Sequence, residues 1–234
     1  HPYHFSYRLG AGDVFETPEV IMAYSSKGLS GLSHIYHDAY RSNLIRSKYV
    51  TSPRPILVNN WEATYFNFDE EKLFNIAQNA KEIGLDMFVL DDGWFGKRDT
   101  DYSGLGDWVV NESKIKGGLP QLVKRIKALG MKFGLWIEPE MVSEDSDLYR
   151  NHPDWILRIP QRHMTRSRHQ LNLDITRKEV RDYVMEQIFR VLDSCEADYV
   201  KWDMNRSVAN VYSSALPSER QGEVFHRYML GVYE

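Results

Sequence analysis

The sequence is poor in cysteine, with Cys195 as its single thiol. One thiol excludes an internal disulfide and a cysteine-rich metal site, and it favours a reducing compartment, so we expect a cytoplasmic protein. No apolar stretch approaches the roughly 20 residues that span a bilayer, and we expect no membrane partner. The chain also lacks a basic run, and 29 basic against 33 acidic residues give a net charge of −4. We therefore expect no nucleic-acid partner.

Apolar and aromatic residues are well supplied. The 42% hydrophobic content is ordinary for a globular protein, and the 234 residues suffice for one barrel-sized domain or two small ones. Six tryptophans are many for this length. Each of them either packs in a core or stacks against the apolar face of a sugar ring.

The first 50 residues differ from the rest. Residues 19–24 have a β-like pattern, and residues 34–45 are compatible with a helix. We interpret residues 1–50 as a leader, and residues 51–234 as a second region. Two prolines in residues 51–55 hold the chain extended and mark the junction.

From residue 55 onward, short apolar strands alternate with amphipathic helices. This alternation predicts a parallel α/β sheet covered by helices. The predicted strands are residues 55–61, 87–92, 133–138 and 199–203, and residues 170–174 form a further β-like run. Because an eight-stranded (β/α) barrel needs about 250 residues, the four units predict half of a TIM-type barrel after a short leader. Such a half is either part of a longer protein or a designed fragment, and an open four-unit sheet is the structural alternative.

Polar residues cluster where the predicted strands end, which is where parallel α/β folds bind ligands. Alternation along a strand places Lys201, Asp203 and Asn205 on one face. The same rule places Trp136, Glu138 and Glu140 together. A lysine close to Asp203 favours the ionised carboxylate, which a nucleophile requires.

Paired carboxylates end the second predicted strand. Asp91 and Asp92 repel each other unless donors satisfy them, and sugar hydroxyls are suitable donors. Trp61, Trp136 or Trp94 could wall such a pocket. A structural Asp-Asp-Gly turn is the alternative interpretation.

Four strings resemble, in order and spacing, the bacterial α-galactosidases of glycoside hydrolase family 36. They are Asp-Asp-Gly-Trp-Phe-Gly from residue 91, Gly-Leu-Trp-Ile-Glu-Pro-Glu from 134, Leu-Asn-Leu-Asp from 171 and Lys-Trp-Asp-Met-Asn-Arg from 201. The resemblance covers nearly all of the chain. It implies that residues 1–50 are the end of an N-terminal β-sandwich with its linker helix, and that residues 51–234 are the first half of a catalytic barrel.

The resemblance also implies roles for individual residues. Asp203 corresponds to the nucleophile of a retaining α-galactosidase, which acts on terminal α-D-galactosides such as melibiose and raffinose-type oligosaccharides and needs no cofactor. Asp91 and Asp92 correspond to ligands of the galactose 4- and 6-hydroxyls. The remaining residues implied to bind substrate are Trp61, Trp136, Arg168, Lys201 and Asn205.

The family's acid/base segment has no counterpart in this sequence. Retaining hydrolysis needs a second carboxyl about 5 to 5.5 Å from the nucleophile, so we expect the isolated chain to be inactive. Half a barrel also has two open sheet edges, which predicts self-association or pairing with a complementary half.

Two other functions compete. One is a noncatalytic or designed sugar-binding fragment. The other is a metal-dependent barrel enzyme with an oxygen-rich site for magnesium or manganese. Lys201 argues against a metal, because its ammonium group competes for the position of the cation. The carboxylates of that alternative are Asp91, Asp92, Glu138, Glu140 and Asp203.

Overall fold

The computed structural model describes residues 5–233, which divide into two compact units. Residues 9–55 form the smaller unit, and residues 5–8 join residues 56–233 in the larger one. The division differs from the predicted boundary after residue 50. The Arg54 guanidinium lies over the Tyr49 ring, which keeps residues 51–55 with the smaller unit. The Ser6 amide donates to the Gly222 carbonyl and the Arg8 amide to Glu223 Oε1, and these bonds hold residues 5–8 in the larger unit.

The smaller unit contains a helix, α1, over Gly28–Ala39, which continues as a π-helical turn over Tyr40–Leu44. A short 3-10 helix follows at Lys48–Val50. The predicted helix over residues 34–45 therefore exists but begins earlier. Residues 19–24 form no strand, because a strand requires a neighbouring strand to pair with and this segment has no such partner.

The larger unit is built on a four-stranded parallel sheet. Its strand order is β1-β2-β3-β6, and the register pairs Leu57 with Met87 and Trp136 with Lys201. This confirms the predicted α/β class with a parallel sheet. Two further strands, β4 and β5, form a small antiparallel pair beyond β3. The strands are β1 Leu57–Asn59, β2 Met87–Leu90, β3 Lys132–Ile137, β4 Met141–Ser143, β5 Gln170–Asn172 and β6 Tyr199–Trp202.

Helices connect and cover the sheet strands. The Asp69 side chain caps α3 by accepting from the Lys72 amide at 2.8 Å, which satisfies one of the free N–H groups of the first turn. Buried apolar positions on α3, α4 and α6 face the sheet. The helices of this unit are α2 Trp61–Thr64, α3 Glu70–Glu82, α4 Gly118–Ala128, α5 Asp147–Asn151, α6 Lys178–Cys195 and α7 Val224–Tyr233, with a 3-10 helix at Ser218–Glu223.

The core extends past the strand ends. An aromatic cluster of Trp94, Phe95, Trp108 and Trp136 is almost completely buried, with Phe95 and Trp136 stacked at 6.1 Å between ring centroids. The cluster fixes the loop after β2 against the end of β3. Within residues 5–233, no helix combines the length and the apolar character that crossing a membrane requires.

Candidate active site

Acidic side chains meet at one edge of the parallel sheet. Asp91 and Asp92 follow β2, Glu138 follows β3, and Asp203 follows β6. The Asp203 amide donates to the Ile137 carbonyl at 2.9 Å, so the pairing of β3 with β6 continues up to the acid itself. The carboxyl ends of parallel strands are where such folds place ligand sites.

Three N–H groups donate to the Asp203 carboxylate. Trp136 Nε1 and Asn205 Nδ2 donate to Oδ2 at 3.0 and 2.9 Å, and the Met204 amide donates to Oδ1 at 3.0 Å. Burial opposes ionisation, but these hydrogen bonds and the Lys201 charge outweigh it and hold the pKa of Asp203 below its ordinary value. Asp203 is therefore an ionised carboxylate at neutral pH.

The direct partner of Lys201 is Asp91 and not Asp203. Lys201 Nζ lies 2.8 Å from Asp91 Oδ2, which also accepts from Asn59 Nδ2 at 2.5 Å. The Asp91 amide donates to Asn60 Oδ1 at 2.8 Å. The lysine thus bridges the ends of β2 and β6, and it reaches Asp203 through its charge alone.

A buried arginine holds Asp92. Arg98 is 1% exposed, and its Nε and Nη2 lie 3.0 and 2.8 Å from Asp92 Oδ1 and Oδ2. Arg98 Nη1 also donates to the Ser103 carbonyl at 3.0 Å. Burial raises the pKa of Asp92, and the hydrogen bonds and charge of Arg98 oppose that rise. Such a paired and bidentate geometry is what a buried carboxylate needs to stay ionised.

The loop that carries Asp92 has its own anchor. Lys114 Nζ donates to the carbonyls of Phe66, Gly93 and Arg98 at 3.2, 3.0 and 3.1 Å. Gly93 has φ 101°, and an added Cβ would lie 2.9 Å from the Phe66 ring. Only glycine fits this turn, which fixes where Asp92 points.

The side chains of Glu138 and Glu140 make contacts on different sides of the sheet. Strand alternation predicted that they share one side, so this prediction is wrong. Glu138 accepts from Asn205 in the site. Glu140 accepts from Trp202 Nε1 at 3.1 Å and from the Tyr228 hydroxyl at 2.7 Å, on the side of α7. The reason is that β3 ends at Ile137, and alternation holds only within a strand.

Trp61 opens helix α2 instead of ending a strand. Its amide donates to Asn59 Oδ1 at 2.8 Å, and Asn59 in turn holds Asp91. The indole meets the rings of Tyr65 and Phe66 edge-on at 5.2 and 5.1 Å. The side chain is half-buried, so it retains an accessible face next to the acidic edge.

Arg168 reaches the site from a loop. Its Nη1 lies 3.0 Å from Asn205 Oδ1, and its backbone has φ 51°. A left-handed conformation is uncommon for arginine and is concentrated at functional sites. The structure thus joins the predicted site residues in two linked groups, which are Trp61, Asp91 and Lys201 with Asp92 beside them, and Trp136, Asp203, Asn205 and Arg168.

The donor set does not suit a metal. In the part of the chain that the structure describes, no three His, Cys, Asp or Glu side chains converge where they could hold an ion. Asp91 and Asp92 already face Lys201 and Arg98, whose positive charges occupy the space that a cation would need. The geometry disfavours the metal-dependent alternative.

Comparison with known proteins decides the family. The family model described as Melibiase matches residues 14–234. The chain belongs to the melibiase family. Alpha-galactosidase AgaA of Geobacillus stearothermophilus is 54% identical over 233 residues, and alpha-galactosidase Mel36A of Lactobacillus acidophilus is 50% identical over 232 residues. These alignments cover 100% and 99% of this chain and 32% of each relative.

Solved structures of melibiase relatives share the fold. The crystal structure of the family 36 enzyme AgaA A355E D548N from Geobacillus stearothermophilus in complex with raffinose has a TM-score of 0.97 and 54% identity, and the match covers 100% of this chain and 32% of that one. The resemblance to family 36 is confirmed. The chain spans about a third of the length of these relatives.

Sequence reasoning missed three residues that organise this candidate site. Asn59 and Lys114 hold Asp91 and the adjacent loop, and Arg98 pairs with Asp92. Arg98 belongs to a Lys-Arg-Asp-Thr-Asp string that reads as a solvated loop. The available signal was the charge repulsion between two adjacent carboxylates, which calls for cations close by. The sequence instead predicted sugar hydroxyls as the donors to Asp91 and Asp92, and it predicted Lys201 beside Asp203.

Proposed function

We propose that this chain carries the glycosyl-binding and nucleophilic half of a retaining α-galactosidase. Its substrates would be terminal α-D-galactosides such as melibiose and raffinose-type oligosaccharides. The observation that carries the proposal is the Asp203 carboxylate, held ionised at a strand end by three N–H donors. Further support comes from AgaA, a relative whose structure has been solved with raffinose.

In the proposed reaction, an Asp203 oxygen attacks the anomeric carbon of the galactoside. The bond to the leaving oxygen breaks as the galactosyl ester forms, and an acid gives that oxygen a proton. Water activated by the same group, now acting as a base, then cleaves the ester and restores the α configuration. Trp136 and Asn205 keep the departing carboxylate hydrogen-bonded, which favours the second step.

The same edge would bind the sugar. Asp91 and Asp92 would accept hydrogen bonds from the galactose 4- and 6-hydroxyls, because each carboxylate retains acceptor sites beyond those taken by Lys201 and Arg98. Trp61, Arg168 and Lys201 are further proposed to contact galactose, and Asn205 is proposed to do so through the acceptor site that its Oδ1 keeps beside Arg168. Trp136 is buried and is proposed to support the site through its hydrogen bond to Asp203. The half-buried Trp61 indole suits the apolar face of a sugar ring.

The acid/base is proposed to come from residues other than the described carboxyls around Asp203. Asp91 and Asp92 each hold a cation, and Glu138 and Glu140 are buried and bonded to protein donors. No exposed second acid is left among them to protonate a leaving oxygen. We therefore expect the isolated chain to bind galactose without turning over a galactoside.

Calorimetric titration with galactose and turnover of an aryl α-galactoside test the proposed function. Both are measured on the chain and on the longest natural protein that contains it, called the parent protein below. We expect binding by both and turnover by the parent protein alone. Binding without turnover by the parent protein would support a noncatalytic sugar-binding module instead. Absence of both would contradict the proposal.

The pH dependence of the parent protein should respond to Trp136→Phe. The Trp136 hydrogen bond lowers the pKa of Asp203, so its removal raises that pKa. Because the nucleophile must be ionised, activity lost on acidification is lost at a higher pH in the variant. The acidic limb of kcat/KM against pH reports this pKa for the free enzyme. A limb that is unmoved, or moved to lower pH, would contradict the assignment.

We also propose that the sheet pairs with a second copy or a complementary half-barrel. β1 and β6 are the outer strands, and Leu57 and Tyr199 on them are 42% and 41% exposed. Unpaired strand edges with apolar residues favour association. Sedimentation of the chain should show a species larger than a monomer, and a monodisperse monomer would contradict this. A cytoplasmic location stays a prediction.

A further inference from the structure

The Glu138 carboxyl group is fully buried next to Asp203. Its Oε1 accepts a hydrogen bond from the backbone N–H of Asn205 at 2.6 Å. Its Oε2 accepts from Asn205 Nδ2 at 3.1 Å and from Gln170 Nε2 at 3.0 Å. Burial and the Asp203 charge raise the pKa of Glu138, while the Asn205 and Gln170 bonds oppose that rise. Burying an ionisable acid costs free energy, so an acid buried beside the proposed nucleophile indicates a functional role.

The Asn205 side chain has no N–H left over for a sugar hydroxyl. An amide nitrogen carries two hydrogens, and Nδ2 donates to Asp203 Oδ2 at 2.9 Å and to Glu138 Oε2 at 3.1 Å. The amide oxygen accepts from Arg168 Nη1 at 3.0 Å. The plane of the Asn205 amide is thus fixed from three directions, and one of its two N–H groups points at the nucleophile.

We propose that Glu138 is a positioning residue that fixes the Asn205 amide and, through it, the Asp203 carboxylate. The proposal rests on the proposed function of Asp203 as nucleophile. Asp203 is only half-buried, so its side chain can rotate unless donors on both oxygens restrain it. Glu138 has no hydrogen bond to Asp203 of its own. It acts by holding the donor that does.

Glu138→Gln tests this with little change of shape. The glutamine has one acceptor oxygen, which keeps the Asn205 backbone N–H, and its amide nitrogen takes the place of Oε2. Gln170 tolerates the change, because its Oε1 is buried without a partner and accepts a hydrogen bond once the side-chain amide turns. Asn205 Nδ2 has no such option, so the variant breaks mainly the bond between residues 138 and 205.

Steady-state kinetics of the parent protein should show a specific effect of Glu138→Gln. We expect kcat for an aryl α-galactoside to fall by on the order of 10- to 100-fold, the loss typical of a slightly misplaced reacting group, with KM nearly unchanged. Glu140→Gln is the matched control. Glu140 is also a buried acid after β3, but it contacts Trp202 and Tyr228 instead of Asn205. That control should keep kcat, and an equal loss in both variants overturns the proposal.

A double-mutant cycle separates positioning from general stability. If Glu138 acts through Asn205, then Glu138→Gln has little further effect in an Asn205→Ala protein, whereas independent effects add. Additive losses overturn the proposal. Should Glu138→Gln fail to fold, Asn205→Ala alone decides. A fall in kcat supports positioning, and a rise in KM with unchanged kcat overturns it, because Asn205 then serves sugar binding alone.

Failure of the proposed function is distinguishable from failure of this inference. If Asp203→Ala leaves activity intact, Asp203 is not the nucleophile and the proposed function fails. If Asp203 is essential while Glu138→Gln behaves like Glu140→Gln, only the positioning role fails.

Discussion

Asp203→Ala is expected to lower kcat/KM of the parent protein for an aryl α-galactoside by about 10⁴-fold or more, the loss seen when a covalent nucleophile is removed. In the proposed reaction this carboxylate, held by its three N–H donors, forms the galactosyl ester, so Asp203→Ala removes the nucleophile. Asp145→Ala removes an exposed carboxylate that pairs with Arg150 and should leave kcat/KM unchanged.

Reaction of the Asp203→Ala protein with azide should give a product that identifies the side of attack. In the proposed mechanism, Asp203→Ala opens space on the side of the anomeric carbon from which the carboxylate would attack. An azide ion that enters there displaces the aryl leaving group once, with inversion. The rate should rise with azide concentration, and the product should be the β-galactosyl azide. Formation of the α-azide, or an Asp203→Ala protein with unchanged kcat/KM, would contradict the nucleophile role.

Arg98→Ala is expected to lower the free energy of unfolding by about 3–5 kcal/mol, the cost of leaving one charge of a buried pair without its partner. Asp92 is 6% exposed and both its oxygens lie against the guanidinium. Urea unfolding followed by tryptophan fluorescence measures the loss, since Trp94 and Trp108 pack beside this loop.

Two further variants show whether the loss of stability comes from breaking the buried ion pair or from removing any arginine charge. Arg150→Ala removes an exposed arginine that pairs with Asp145 and Asp147, and should cost about 0–1 kcal/mol. Asp92→Asn combined with Arg98→Met removes both buried charges and should recover part of the loss. If Arg98→Ala is no more destabilising than Arg150→Ala, Arg98 is not the counter-ion that holds Asp92.

The sequence predicted the parallel sheet well because alternation and helix periodicity are local. All four predicted sheet strands exist, and the acidic residues at their ends meet at one edge. Where the strand regularity stops, the predictions lose accuracy. Glu140 lies past the end of β3 and turns toward α7, and Trp61 begins a helix because β1 ends at Asn59.

The ion-pair and hydrogen-bond partners of the carboxylates depend on contacts between residues far apart in the sequence. Local patterns therefore do not predict them. Lys201 was placed beside Asp203 by spacing, but its chain reaches the end of β2 and bonds to Asp91. Arg98 and Lys114 belong to a long loop. Packing against the aromatic core and hydrogen bonds from these two side chains to loop carbonyls determine its path. No local pattern encodes such contacts.

Trapping of a glycosyl-enzyme is the most direct test of Asp203 as nucleophile. A ring-fluorinated α-galactosyl fluoride forms the ester and slows its hydrolysis, and fluoride departs without help from an acid. The experiment therefore does not depend on where the acid/base comes from. Digestion and mass spectrometry of the labelled parent protein should find the galactosyl ester on Asp203. An ester on Glu138 or on any other carboxylate would contradict the account.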